Sequence, residues 1–521
     1  MLKSLRSAAR TGEVRLPHAD VRVPARAVER RRGAAILAAL IPPIAAVVAW
    51  RALPNGWFVN EDFQILYEFA NGTLARALFA PAFGHLDTTR NGVMGLLFAA
   101  VGPRPAPFFV VGLVVHALNA FLLYRLAARL TGQPVLASAV AVAWAITPLH
   151  HGTLEWIAAH GQVWITALVL IMLNRLAAFE QTDRRLSGGE AVLWAIALIM
   201  INTCYTGIAF LLPVAVLVIA VRRVSPMALA AMGVSVAIFA IGYLIANAVY
   251  PPVPARLGSI ARPALGDALQ YPAAAAAAAL HLVVVPASAL LLGPLFRSAA
   301  YPAWPDWIAA GTFVLVLVAG WRATARRRWL LGLLILGVST YPLIAVGRSP
   351  LARDHPAFLA LMPHYHYFAQ ATLALALAIA LAGVRPAAPR LLVAAVLGWA
   401  AVLVASLAVR PPAVELRVAD RLETEESIAQ IRAAVAAAPP GSTVYIPNRP
   451  FEPMNFFALF QGDWKFPGLA GIFVTFFPRD VVDGRTVRFV ATEPAELSAT
   501  AGGGRIATLL VPPTPEAPAR P

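Results

Sequence analysis

Charge is what this sequence has least of. Only 13% of its 521 residues are Asp, Glu, Lys or Arg, against roughly 25% in an average soluble protein. A soluble chain of this length would divide into roughly three domains, and the charge to cover their surfaces is missing. Cysteine is nearly absent as well. Cys204 is the one thiol, so no disulfide can form within the chain. Acidic residues are scarce, 26 against 42 basic, and the net charge is +16. There is no Walker A loop, Gly-rich dinucleotide fingerprint or zinc-finger spacing, which leaves ATP-driven transport and soluble-nucleotide chemistry without support. What is abundant is apolar: 59% of residues are hydrophobic and the mean hydropathy is +0.70. Disordered and collagen-like chains are thereby excluded, and an all-α polytopic membrane protein remains. Nucleic acid is not expected as a partner, because the arginines lie between apolar spans, where positive charge reports cytoplasmic loops.

Residues 1–32 hold nine basic and three acidic residues and no long apolar run; they read as a cytoplasmic basic tail, not a cleavable signal. Residues 33–409 read as a transmembrane domain of about 11 helices, judged against the roughly 20 apolar residues that span a bilayer. The first crosses at about 33–50 and the last at about 390–408, with a first outer loop over 51–106. Arg125, Arg129, Arg175, Arg184, Arg185, Arg222, Arg223, Arg322, Arg326, Arg327, Arg328, Arg385 and Arg390 all fall on the side of the N-terminus. This predicts a multi-pass protein of the inner (plasma) membrane, N-terminus cytoplasmic and C-terminus extracytoplasmic. The Ala-rich segment 272–296 reads as re-entrant or interfacial, because counting it as a crossing would put Arg322 to Arg328 outside; a twelfth span is the alternative. Residues 410–511 read as a small extracytoplasmic α/β domain, with a helix near 420–438 and β-like runs at 443–447, 487–491 and 506–511. Residues 512–521 (PPTPEAPARP) read as a disordered Pro-rich tail.

Three constellations can carry chemistry. Glu61 and Asp62 stand in the first outer loop; a carboxylate there can act as general base on a hydroxyl, or be part of a solvated acidic loop. Thr147 to His160 places His150, His151, Glu155 and His160 at the outer end of the third span, where ionisable groups are costly and commonly functional. His151 and Glu155, four apart, could share a helix face but match no recognised ligand pattern. Phosphate or sugar hydrogen bonding and a structural polar cluster both remain open. The third set is Arg348, Arg353, Asp354 and His355, then His364, Tyr365, His366 and Tyr367. Arginine suits bidentate phosphate binding, and an outer-leaflet headgroup contact is the alternative. Seven of the ten histidines fall in outer loops or at outer helix ends: His85, His150, His151, His160, His355, His364 and His366. Ionisable groups distant in sequence are thus expected to converge on one face.

These motifs, in this order, resemble the GT-C superfamily of membrane glycosyltransferases, and most of all its protein O-mannosyltransferase-like and tetratricopeptide-associated O-mannosyltransferase-like branch. The resemblance covers roughly residues 35–400. Glu61-Asp62 matches the family's acidic pair. Asp87 to Asn91, Gly102 and His116 to Asn119 resemble its next run, Pro148 to Ile157 its Pro-x-His-x-Glu-x-x-x-Trp-Ile-like stretch, and His364 to Tyr367 its Arg-Tyr-x-Tyr-like stretch. The chain departs where the family has arginine and this sequence has His160 and His364, and where a Lys-Glu-like element is replaced by Cys204-Tyr205. The resemblance implies transfer of a sugar from a polyprenyl-phosphate donor to an extracytoplasmic protein, lipid or polysaccharide acceptor. It makes Asp62, with Glu61, catalytic. It implies that Arg90, His151, Glu155, His160, Arg348, Arg353, His364 and Tyr365 bind substrate or lipid phosphate. The expected partners are membrane lipids, the donor and the acceptor. No cofactor is expected; a divalent metal is compatible with the family and is not predicted here. The alternatives are a transporter or flippase of lipid-linked saccharides and an inactive GT-C-like scaffold.

Overall fold

A bilayer offers backbone N–H and C=O groups no partners, so apolar runs fold into helices that satisfy themselves. The computed structural model follows the apolar runs closely. It describes residues 25–409 apart from 251–269 and shorter stretches, and beyond them isolated positions and four strands between 425 and 511; Glu61, Cys204, Tyr205, Asp354 and His355, most of the 420–438 run and the tail 512–521 lie outside the described residues. In order, the helices are α1 (Ala25–Ala49), α2 (Leu74–Phe79), α3 (Thr88–Val101), α4 (Pro105–Thr131), α5 (Pro134–Ala145), α6 (His151–Leu154), α7 (Gly161–Gln181), α8 (Gly188–Asn202) and α9 (Ile208–Ala220). Then come α10 (Pro226–Val249), α11 (Pro272–Leu292), α12 (Trp304–Ala323), α13 (Arg327–Val338), α14 (Thr340–Gly347), α15 (Pro356–Leu361), α16 (Tyr367–Gly383) and α17 (Pro389–Val409). Local chemistry sets their ends. Proline opens α4 at a position that needs no N–H, and Gly132 closes it in the left-handed conformation. The Ser225 hydroxyl caps α10 by accepting from the Ala228 N–H.

Among the described residues, seven helices are long and apolar enough to cross a membrane, and an eighth forms if α5 and Pro148–Leu154, bent by 50°, count as one span. The chain is therefore a multi-pass membrane protein. Four shorter apolar helices lie at Gly189–Ile201, Leu211–Ala220, Tyr367–Gly383 and Ala394–Ala405. The expectation of about 11 crossings counts those four and leaves out α11.

The bundle's interior is built from small residues. α16 is buried from Tyr367 to Ala380, and its alanines let neighbours approach closely, as Gly320 does at Ala380. The periphery is the reverse: Ile36, Leu40, Ile44, Val47, Leu244, Ile245 and Leu315 are all exposed, the apolar face that lipid would cover.

The course of α11 is decided by what it touches. His281 meets Trp307 of α12, and the Pro286 carbonyl accepts from Gln370 near the start of α16. Further along, Gly320 meets Ala380, and Gly383 meets Thr324 just past the end of α12. α12 and α16 therefore run in the same sense, and α11, packed against both, is itself long and apolar enough to span.

Beyond the bundle, four strands, β1 (Thr443–Pro447), β2 (Val481–Val482), β3 (Arg485–Val490) and β4 (Leu509–Val511), form one sheet in the order β2-β3-β1-β4. β1 pairs parallel with β3 and antiparallel with β4.

Candidate functional site

The site lies where helices end and short turns take over. Loop 51–106 and the turns around 148–160 and 348–366 meet at one end of the bundle. Gly152 makes the closest junction. A Cβ there would fall 2.2 Å from Pro363 Cγ, so only glycine lets the two turns touch. Trp156 then packs edge-on against His364, 5.0 Å between ring centroids.

Asp62 is wholly buried, and its Oδ1 accepts a 2.6 Å hydrogen bond from the Ala158 N–H. Arg90 also reaches this residue, donating through Nη1 to the Ala158 carbonyl. The same guanidinium donates from Nε to Asn91 and pairs through Nη2 with Asp87 at 2.9 Å. Asp87 is buried, and burial pushes its carboxyl up to about 6 against the opposing pull of Arg90. Asp87 carries no expected role from sequence. The signal was its place three residues before Arg90 at a helix start.

A second group gathers around Arg348, whose Nε donates to the Tyr365 hydroxyl at 3.0 Å while Nη2 lies 3.5 Å from His85 Nε2. Burial, then Arg348 and Arg90, pull His85 down to about 3. Burial, then Arg348 and the neighbouring His366, His85 and His151, pull His364 to about 3 as well. These imidazoles are therefore neutral at pH 7 and can accept or donate hydrogen bonds without adding charge. His85 thus lies against Arg348 and close enough to Arg90 to feel its charge, so both groups belong to one polar floor.

Three other histidines share a local device. His150, which ends a 3-10 turn, and His160 and His366, which each follow one, place Nε2 on the carbonyl six residues earlier: Trp144 at 2.7 Å, Leu154 at 3.1 Å and Ala360 at 2.6 Å. A carbonyl can only accept, so Nε2 carries the proton in each. These carbonyls sit at helix ends, where four are left without intrahelical partners. His160 is further packed against Gly112 of α4. His151 places Nδ1 on the Pro148 carbonyl at 2.8 Å, and Glu155, buried, closes α6. Arg353 is exposed and lies 5.3 Å over the Tyr271 ring, just before α11.

Beneath the polar floor, His116, Trp144, His150 and Tyr367 are all fully buried, each ring within 5.6 Å of the other three. His116 Nε2 donates to the Ala145 carbonyl, so Nδ1 accepts from the Tyr367 hydroxyl at 2.7 Å, and Asn119 donates to the same oxygen at 3.2 Å. Tyr367 opens α16, so this aromatic block sets where the His364–Tyr365 turn sits.

Of the residues expected at the site, Asp62, Arg90, His151, Glu155, His160, Arg348, His364 and Tyr365 fall at this end of the bundle; Arg353 stands at its edge. Among the described residues, no group of three or more His, Cys, Asp or Glu is arranged to hold a metal ion. No family model, curated protein or solved structure matches this chain.

Proposed function

We propose that the protein is a membrane glycosyltransferase that moves a sugar from a polyprenyl-phosphate donor to an extracytoplasmic hydroxyl acceptor. One observation carries the reading. A buried carboxylate held by a backbone N–H, Asp62, lies at the same end of the bundle as an arginine, Arg348, flanked by neutral imidazoles and a tyrosine hydroxyl. In the proposed reaction Asp62 takes the acceptor's hydroxyl proton, the oxygen attacks the anomeric carbon, and the bond from that carbon to the lipid phosphate breaks. Arg348, with His364 and Tyr365, offsets the charge of the departing phosphate. Water-poor surroundings strengthen both effects.

The reading includes orientation. Eleven crossings, with α11 re-entrant, put the arginine-rich end in the cytoplasm with the N-terminus. The site then faces the exterior of the inner membrane, together with the C-terminus and a small α/β domain built on the β1–β4 sheet. The test is transfer of labelled sugar from polyprenyl-phosphate sugar by the purified full-length protein. Transfer by wild type and none by Asp62→Asn is the expected result. Equal transfer by both removes Asp62 as the base, and uptake of lipid-linked saccharide without transfer would favour a flippase instead.

A further inference from the structure

Asp62 does not hold its own orientation; the Ala158 N–H helps to set it. Ala158 sits in a single 3-10 turn, Ile157–Ala159, entered from extended backbone at Trp156. So short a turn has poor internal hydrogen bonding and takes its position from outside. Arg90 supplies an outside grip through the Ala158 carbonyl, and Asp87 and the Asn91 side chain occupy other donors of the same fork. The base from which Arg90 reaches is itself tied down. Asn91 donates to the Ala77 carbonyl, Thr88 to the Leu78 carbonyl, and Thr89 bonds Thr203 at the end of α8. A continuous path therefore runs from Asp87 through Arg90 and the Ala158 backbone to the Asp62 carboxylate.

We infer that Asp87 and Arg90 are positioning residues for Asp62, fixing the Ile157–Ala159 turn whose N–H aims the carboxylate, and that Arg90 does not bind the donor phosphate. This rests on the proposed role of Asp62 as base. A guanidinium committed to a backbone carbonyl, a carboxylate and an amide oxygen is a poor bidentate phosphate clamp, whereas displacing a catalytic group by about 1 Å can cost on the order of 100-fold in rate.

Two measurements test it on the full-length protein. In sugar transfer with the polyprenyl-phosphate donor varied, Arg90→Ala is expected to lower kcat by about 100-fold with donor KM within about threefold. Asp87→Asn, which keeps an oxygen for Arg90, is expected to lower kcat by about tenfold. A raised donor KM with unchanged kcat would make Arg90 a phosphate ligand and overturn the inference, as would wild-type turnover in both variants. If Asp62→Asn is inactive while Arg90→Ala and Asp87→Asn turn over normally, positioning alone fails; if Asp62→Asn is fully active, the base assignment fails with it. The second measurement needs no activity. Hydrogen–deuterium exchange of the peptide covering 157–160 should be slow in wild type and faster in Asp87→Asn and Arg90→Ala. Unchanged exchange in both variants overturns the inference. Where Arg90→Ala does not elute as wild type does, Asp87→Asn carries both readouts.

Discussion

The two ends of the bundle use the same ionisable residues under opposite conditions. At one end Arg90 and Asp87 are paired with less than a tenth of either side chain exposed, and Asp62 and Glu155 are buried. At the other, Arg326 meets Glu180 at 2.9 Å with about a third of each side chain exposed, Trp329 donates to the same carboxylate, and Arg175 meets Glu190. Exposed pairs in high dielectric contribute little to stability, and their charge is legible chiefly as orientation. Buried ones must be matched group by group, because an uncompensated charge there is strongly destabilising. An arginine count therefore says which way a membrane protein faces, and only burial says which arginines do chemistry.

The sharpest way to break this contrast is Asp62→Asn, an isosteric change at the buried end. It should reduce sugar transfer by more than about 100-fold while leaving the thermal unfolding midpoint close to wild type. Gly152→Val comes next. Its side chain would collide with Pro363, and overpacking of this kind costs about 1–3 kcal/mol, read as a lowered midpoint with the turns forced apart.

Acid should separate the ends without mutation. His85 and His364 have folded values near 3 against an ordinary 6.5, so the unfolded chain binds their protons first. The stability they contribute is full above about 6.5 and is lost as pH falls from there towards 3. Asp87, raised to about 6 from an ordinary 3.8, acts oppositely, favouring the fold as pH falls through that narrower window. Two histidines outweigh one carboxyl, so the midpoint should drop below pH 6.5, and His85→Gln with His364→Gln should flatten the drop. A midpoint that rises towards pH 4 would contradict the burial of these rings. The smallest effect is expected at the opposite end, where Glu180→Gln should cost about 0.2–1 kcal/mol and leave transfer untouched; a loss of activity there would dissolve the distinction.

Much of this was legible in sequence because the underlying physics is one-dimensional. Apolar runs mark the helices. Arginine placement argues for a re-entrant segment at 272–296, to keep Arg322, Arg326, Arg327 and Arg328 with the other arginines, whereas α11 is long and apolar enough to cross. The strand runs at 443–447 and near 487 and 509 were visible as β-branched stretches, whereas β2 is two residues long and carries no periodicity to read. What sequence could not give was which histidines are committed. His160 and His366 look like ligands on a line of text, but each ring is bound to a carbonyl six residues back, a reach that depends on the intervening turn being 3-10. Asp87 was likewise obscured, since its pairing with Arg90 is local but its burial is produced by the packing of distant elements.

In the proposed topology, where α11 enters and leaves on the outer side, the stretch between α10 and α12 has a consequence for how such a chain is made. A segment that goes in and returns on the same side leaves the parity of crossings unchanged. Excision of residues 271–303 would thus leave every later helix facing the way it faces now, and the arginines after α12 would still be retained on the side of synthesis. The segment is in this sense an appendix to the threading order: it can vary in length or sequence without requiring the rest of the protein to be inserted differently.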